Sequence, residues 1–173
     1  MFTLPAYFIL NPVFISLGAD RGLSEQLAVL GVMITGISNA AGRLIVSWSS
    51  DKIGRKAAMI AIAVIILTAS LVMIVGEGFL FLVCIILVSF GFGGAASVYS
   101  AMTVESFGTK FGGMNFGLVM IGFGASALVS QIVSNRLTAE GSYTSSFIVA
   151  AVTCAIAVVL VLLMKNPNKT TEL

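Results

Sequence analysis

Arg43 is the one ionisable side chain that falls well inside an apolar stretch of this sequence, and its guanidinium is the group best suited to binding chemistry. A guanidinium presents a planar fork of donors that fits a carboxylate, and the paired hydrogen bonds orient it as well as attract it. Thr35, Asn39, Arg43 and Ser47 recur every four residues, so on a helix they form one polar stripe able to line a water-filled cavity. Asp51 marks the end of that helix eight residues later. At 1.5 Å per residue Arg43 then lies ~12 Å in, near the bilayer midplane. An arginine at that depth costs at least ~2.5 kcal/mol on insertion scales, so something must offset it. Snorkelling would stretch the side chain beyond comfortable reach, and the sequence has no mid-span Asp or Glu to pair with it. Binding of a carboxylate substrate is the reading these residues favour. Asn39 and Gln131 are the next polar candidates, and Tyr7 and Tyr99 are placed to shape a pocket, although residues of these types more often pack helices.

Other chemistries find little support. There is no histidine, which removes the usual general base and the commonest metal ligand. Lone serines without a base, and no Cys/His/acid cluster, speak against an enzyme and against a resident cofactor or metal. Cys84 and Cys154 both lie in apolar runs, where a free cysteine acts as a small hydrophobe.

The elements that must position these residues follow from composition. Of 173 residues, 58% are hydrophobic and only 9% charged, and the mean hydropathy is +1.10. A soluble domain carries about 25% charge, so this is an integral membrane protein. A net charge of +2 is too small to imply nucleic acid. Charge-free stretches mark spans at residues 1–19, 57–76, 78–104, 111–135 and 141–164, with a further span at 26–50 interrupted only by Arg43. Runs of about 20 apolar residues without inward polar alternation indicate helices rather than barrel strands. The expected fold is therefore an all-α membrane protein with six transmembrane helices over residues 1–165, followed by a short tail at 166–173. Asn11-Pro12 is expected to kink the first helix, because proline removes a backbone donor. Gly91-Phe92-Gly93-Gly94 sits inside a span without the strand, lysine or following Ser/Thr of a phosphate loop, so it reads as a site of close helix packing.

Six crossings put both termini on one side. Lys52, Arg55, Lys56, Lys110, Lys165 and Lys169 fall on that side, against Arg21 and Arg136 on the other, which places both termini in the cytoplasm of a bacterial-type inner or plasma membrane.

Two segments carry a family resemblance. The run Gly42 to Lys56, ending Asp51-Lys52-Ile53-Gly54-Arg55-Lys56, resembles the cytoplasmic loop motif of the major facilitator superfamily, where copies join helices two and three and helices eight and nine. Gly54 permits a tight turn and the basic residues hold the loop inside. Asp51 is expected to accept hydrogen bonds from a neighbouring helix N-terminus, a contact that would lock one side of the bundle until the helices move. Thr103-Val104-Glu105-Ser106-Phe107-Gly108-Thr109-Lys110 through Asn115-Phe116-Gly117 resembles the segment between helices ten and eleven of oxalate/formate antiporter-type carriers, and more loosely that of monocarboxylate carriers.

These resemblances align the chain with helices seven to twelve of a twelve-helix carrier. They imply alternating-access transport of a small organic anion, with Arg43 at the helix-eight position that binds a carboxylate in such carriers. The lysine expected of an oxalate carrier in helix eleven is absent from residues 118–133, and one cation suits one carboxylate. A monocarboxylate such as formate, lactate or pyruvate is therefore expected. All acids lie near span ends or in the tail, which favours anion exchange over an intramembrane proton carrier; the depth of Glu105 is left open. A site between two bundles requires a second six-helix bundle, whether a missing half or another copy. The alternative is a non-transporting interaction subunit or an inactive fragment, for which Arg43 would be paired internally.

Overall fold

The computed structural model describes residues 7–8, 24–139 and 143–163, and every described element is helical. Tyr7 and Phe8 lie in a helical segment; the remainder of the expected first span, the Asn11-Pro12 kink, Arg21 and the tail fall outside the described residues. Five helices follow: α1 (Glu25–Ile53), α2 (Arg55–Val75), α3 (Gly78–Phe107), α4 (Gly112–Ala139) and α5 (Tyr143–Leu163). Four apolar stretches, Val29–Ile53, Arg55–Val75, Gly78–Phe107 and Gly112–Ile132, are long and apolar enough to cross a membrane. The described residues thus support an all-helical membrane fold, and they place five of the six expected helices within a few residues of their expected bounds.

Helix ends follow local chemistry. The Ser24 side chain caps α1 by accepting from the Leu27 amide. Gly54 alone joins α1 to α2: its amide donates to the Ser50 carbonyl while its φ of 91° and ψ of 148° reverse the chain. Only glycine takes that conformation readily, because no Cβ meets the flanking carbonyls.

Helix α3 is the centre of the assembly. It packs against α1, α2 and α4, while α2 also packs against α5. Met59, Ile62, Ile66 and Met73 of α2 meet Phe81, Ile85, Val88 and Val98 of α3 in one core, which Cys154 and Val161 of α5 extend. In lipid there is no hydrophobic gain in bringing apolar helices together, so close packing and interhelical hydrogen bonds must hold them. The segment 91–94 supplies that packing on several sides. A Cβ at Gly91 would lie 2.6 Å from the Ile66 side chain on α2, one at Gly94 2.6 Å from Val46 on α1, and one at Gly93 2.1 Å from the Asn39 carbonyl oxygen. From the α1 side, a Cβ at Gly42 would lie 2.1 Å from the Phe90 carbonyl oxygen. Ser38 Oγ donates to the Ile86 carbonyl and Ser89 Oγ to the Thr35 carbonyl, both at 2.9 Å, which secures the same α1–α3 contact.

The outer surface is apolar, as a lipid-facing surface must be. Ile37, Leu44, Trp48, Val75, Phe79 and Leu163 are among its exposed large side chains. Helix α4 stands apart from the core: Gly112 and Ser130 are its only buried residues among those whose exposure is described.

Candidate functional site

Arg43 lies two residues past the midpoint of the Val29–Ile53 apolar stretch, and α1 runs unbroken from it to Asp51. Its side chain is exposed, with Nε donating to Asn39 Oδ1 at 3.3 Å. Asn39 Nδ2 donates in turn to the Ser89 carbonyl at 3.5 Å. Ser89 is buried, its hydroxyl donates to the Thr35 carbonyl at 2.9 Å, and the Tyr7 hydroxyl lies near it. Arg43 and Asn39 are therefore tied to Ser89, beside which Tyr7 lies, and Ser89 carries no motif in the sequence. No carboxylate pairs with Arg43 among the described residues. With Nε occupied by Asn39, the guanidinium keeps its two terminal nitrogens for a ligand, the arrangement a carboxylate fork needs.

The polar stripe on α1 is shorter than its four-residue spacing implies. Thr35 is buried against α3, with its carbonyl taken by Ser89 and its own hydroxyl donating to the Val32 carbonyl. Asn39, Arg43 and Ser47 remain along one flank, half-buried or exposed. Trp48, five residues from Arg43, points about 140° away around the helix at ~100° per residue. The two flanks of α1 thus serve different surroundings.

Aromatic rings close the site on its α3 side. Tyr7 stacks on Phe92 with centroids 3.9 Å apart and planes at 16°, and Phe8 meets Phe92 and Phe123 edge-on at 5.5 and 5.4 Å. The cluster joins the 7–8 segment, α3 and α4 beside the α1–α3 crossing. Gln131 sits eight residues beyond Phe123 on α4, ~12 Å further along the axis, away from this group. Tyr99 lines a different cavity, near the Arg55 end of the bundle.

At that end the loop motif makes a second constellation. Arg55 Nη1 lies 2.6 Å from Asp51 Oδ1, and Arg55 Nε lies 2.9 Å from Glu105 Oε1 at the end of α3. Arg55 also donates to Ser50 Oγ, and Lys56 Nζ donates to the Leu162 carbonyl in the last turn of α5 at 3.0 Å. One short loop therefore ties the ends of α1, α2, α3 and α5. The described partner of Asp51 is the side chain of Arg55, the first residue of α2, and no side chain caps the N-terminal amides of that helix. The Gly54 reversal brings the first side chain of α2 back onto the last turn of α1, so the guanidinium reaches that carboxylate. Glu105, whose depth the sequence left open, is half-exposed in this ion pair, two residues before the end of α3.

A sequence model of the Major Facilitator Superfamily matches residues 1–173. The chain belongs to that superfamily. Over 141 residues this superfamily member is 28% identical to the uncharacterized MFS-type transporter YhjX of Escherichia coli (strain K12), an alignment covering 72% of this chain and 35% of that protein. The chain thus spans about a third of the length of the curated relative it matches. Superfamily membership establishes an integral membrane protein of a transporter family, and it supports transport rather than catalysis.

Of the residues missed, Ser89 and Phe123 carry no sequence signal beyond being a serine and a phenylalanine in apolar runs. Phe92 had one: it is flanked by the glycines that bring α1 and α2 against α3.

Proposed function

We propose that this superfamily member moves a small monocarboxylate across the membrane by alternating access, working with a second six-helix bundle, and that it binds the carboxylate through Arg43. The observation that carries this reading is the guanidinium held near mid-span by the neutral Asn39, with no carboxylate partner among the described residues. A cation without a carboxylate partner among the described residues attracts one negative charge, and its terminal nitrogens orient it. This arrangement supports binding over the non-transporting reading, which calls for an internally paired Arg43.

Asn39 positions Arg43, Tyr7 with its ring cluster borders the site, and Gln131 is retained as an outlying candidate on α4. The absence of a lysine from residues 118–133 favours one carboxylate over two, and the lack of histidine favours anion exchange over proton coupling. The Arg55 end faces the cytoplasm, as its basic residues favour. There Asp51, Gly54, Arg55 and Lys56 hold the helix ends together in one state and release them in the other. Exposed α4 and the exposed flank of α1 offer surfaces for the second bundle.

The test is uptake of labelled formate, lactate, pyruvate and oxalate into proteoliposomes, with and without a candidate N-terminal bundle, comparing the unmodified chain with Arg43→Gln. Loss of monocarboxylate flux in a variant of unchanged thermal stability supports the proposal. Preferential oxalate movement, or flux indifferent to Arg43→Gln, overturns it.

A further inference from the structure

At the Arg55 end of the bundle a partly open cavity of about 160 Å³ lies between α2, α3 and α4. Its walls are Met59 of α2, Met102 and Phe107 of α3 and Val119 of α4, with Thr103 and Ser106 among the polar groups of its lining. Thr103 Oγ1 is already satisfied by the Tyr99 carbonyl at 2.8 Å, so it offers its proton to no ligand. An apolar cavity of ~150 Å³ is large enough for a benzene-sized molecule and unfavourable for water. An alkyl segment of several methylene groups fits the same description.

The depth of the cavity matches a chain hanging from the membrane surface. Met59 is four residues into α2 from Arg55 and Val119 seven residues into α4, so the walls reach ~6 to 10 Å below the loops. The charge at this end of the bundle is uneven. Asp51 and Glu105, the carboxylates described at this end, both pair with the single guanidinium of Arg55. Lys52 and Lys110 are left without a carboxylate among the described residues: Lys52 Nζ lies 3.9 Å above the Trp48 ring and Lys110 Nζ 5.5 Å from the Phe111 centroid. Lys110 stands in the turn between α3 and α4, three residues after the cavity wall at Phe107.

We propose that this cavity seats one acyl chain of an anionic phospholipid whose phosphate is held by Lys110. Surplus positive charge selects an anionic headgroup over a zwitterionic one, and the apolar walls select a lipid over a free phosphate. The site is separate from Arg43 and does not rest on the transport reading.

The experiment measures binding to the purified full chain in detergent by native mass spectrometry and thermal shift. The probes are dioleoylphosphatidylglycerol, dioleoylphosphatidylcholine and glycerol 1-phosphate. The expected result is binding of the phosphatidylglycerol about fivefold tighter than the phosphatidylcholine, with no effect of glycerol 1-phosphate. Lys110→Gln removes that preference, Val119→Trp weakens both lipids by filling the cavity, and Lys52→Gln retains the preference. Equal binding of the two lipids overturns the proposal, as does a thermal shift with glycerol 1-phosphate alone. A preference that survives Lys110→Gln, or that Lys52→Gln abolishes equally, shows diffuse surface charge in place of a site and overturns it too.

Discussion

Arg55 Nε and Glu105 Oε1 lie 2.9 Å apart although fifty residues separate them, so the loop after α1 and the end of α3 close on one another. The Arg55 side chain is 17% exposed and that of Glu105 44%, so solvent screens the pair and its contribution is modest, about 0.5 to 1 kcal/mol. Arg55→Glu and Glu105→Arg should each lower the melting temperature in detergent. The double exchange should recover part of the loss, by about the same 0.5 to 1 kcal/mol. Strict additivity of the two single changes would show that the pair contributes nothing.

Gly54→Ala should destabilise the protein by roughly 1 to 3 kcal/mol through backbone strain alone, since nothing lies within 4 Å of the added Cβ yet φ is 91°. Gly36→Ala is the control. It also has open space around the Cβ but sits in ordinary helical backbone, so it should be neutral or stabilising by roughly 0.5 to 1 kcal/mol. Chemical denaturation in mixed detergent distinguishes the two, and equal effects would refute the strain argument.

Gly42→Ala should cost roughly 1 to 3 kcal/mol by overpacking, because its Cβ would meet the backbone oxygen of Phe90, which cannot rotate away. Gly94→Ala should cost less, since the first obstacle is the Val46 side chain. If Gly42→Ala proves as mild as Gly36→Ala, α1 and α3 do not cross as closely as described.

Asn39→Ala should raise KM for the carboxylate about tenfold with little change in kcat, because it frees Arg43 Nε and loses the ordering of a charged donor, a term of ~1.5 kcal/mol. Arg43→Lys keeps the charge but neither the Asn39 contact nor the planar fork, so its KM should rise further. Steady-state uptake across a substrate series reads both. An Arg43→Lys variant with unaltered KM would show that charge alone suffices.

The spans and their ends could be read in the sequence because each helix satisfies its own backbone hydrogen bonds, a local matter that lipid enforces. The expected span at 57–76 and the observed α2 at Arg55–Val75 differ by one or two residues at either end. Arg43 was equally legible, since a charge in an apolar run is conspicuous wherever the helix packs, and so were the Gly54 turn and the basic loop around it. Partnerships were not legible. Asp51 pairs with the side chain of Arg55, the first residue of α2, and Glu105 joins that pair from another helix. Which glycines matter was equally hidden: Gly36 and Gly42 are both glycines of one helix, yet one faces open space and the other a carbonyl. The link from Arg43 through Asn39 to Ser89 exists only because α1 and α3 cross there, the Asn39 side chain meeting the Ser89 carbonyl across fifty residues of chain. By itself, then, the sequence determined the membrane class, the helix bounds and the mid-span cation, all set by hydropathy and charge along one strand of chain. Only the tertiary structure decided what each polar group touches, because that depends on the rotation and crossing of helices, which no local pattern records.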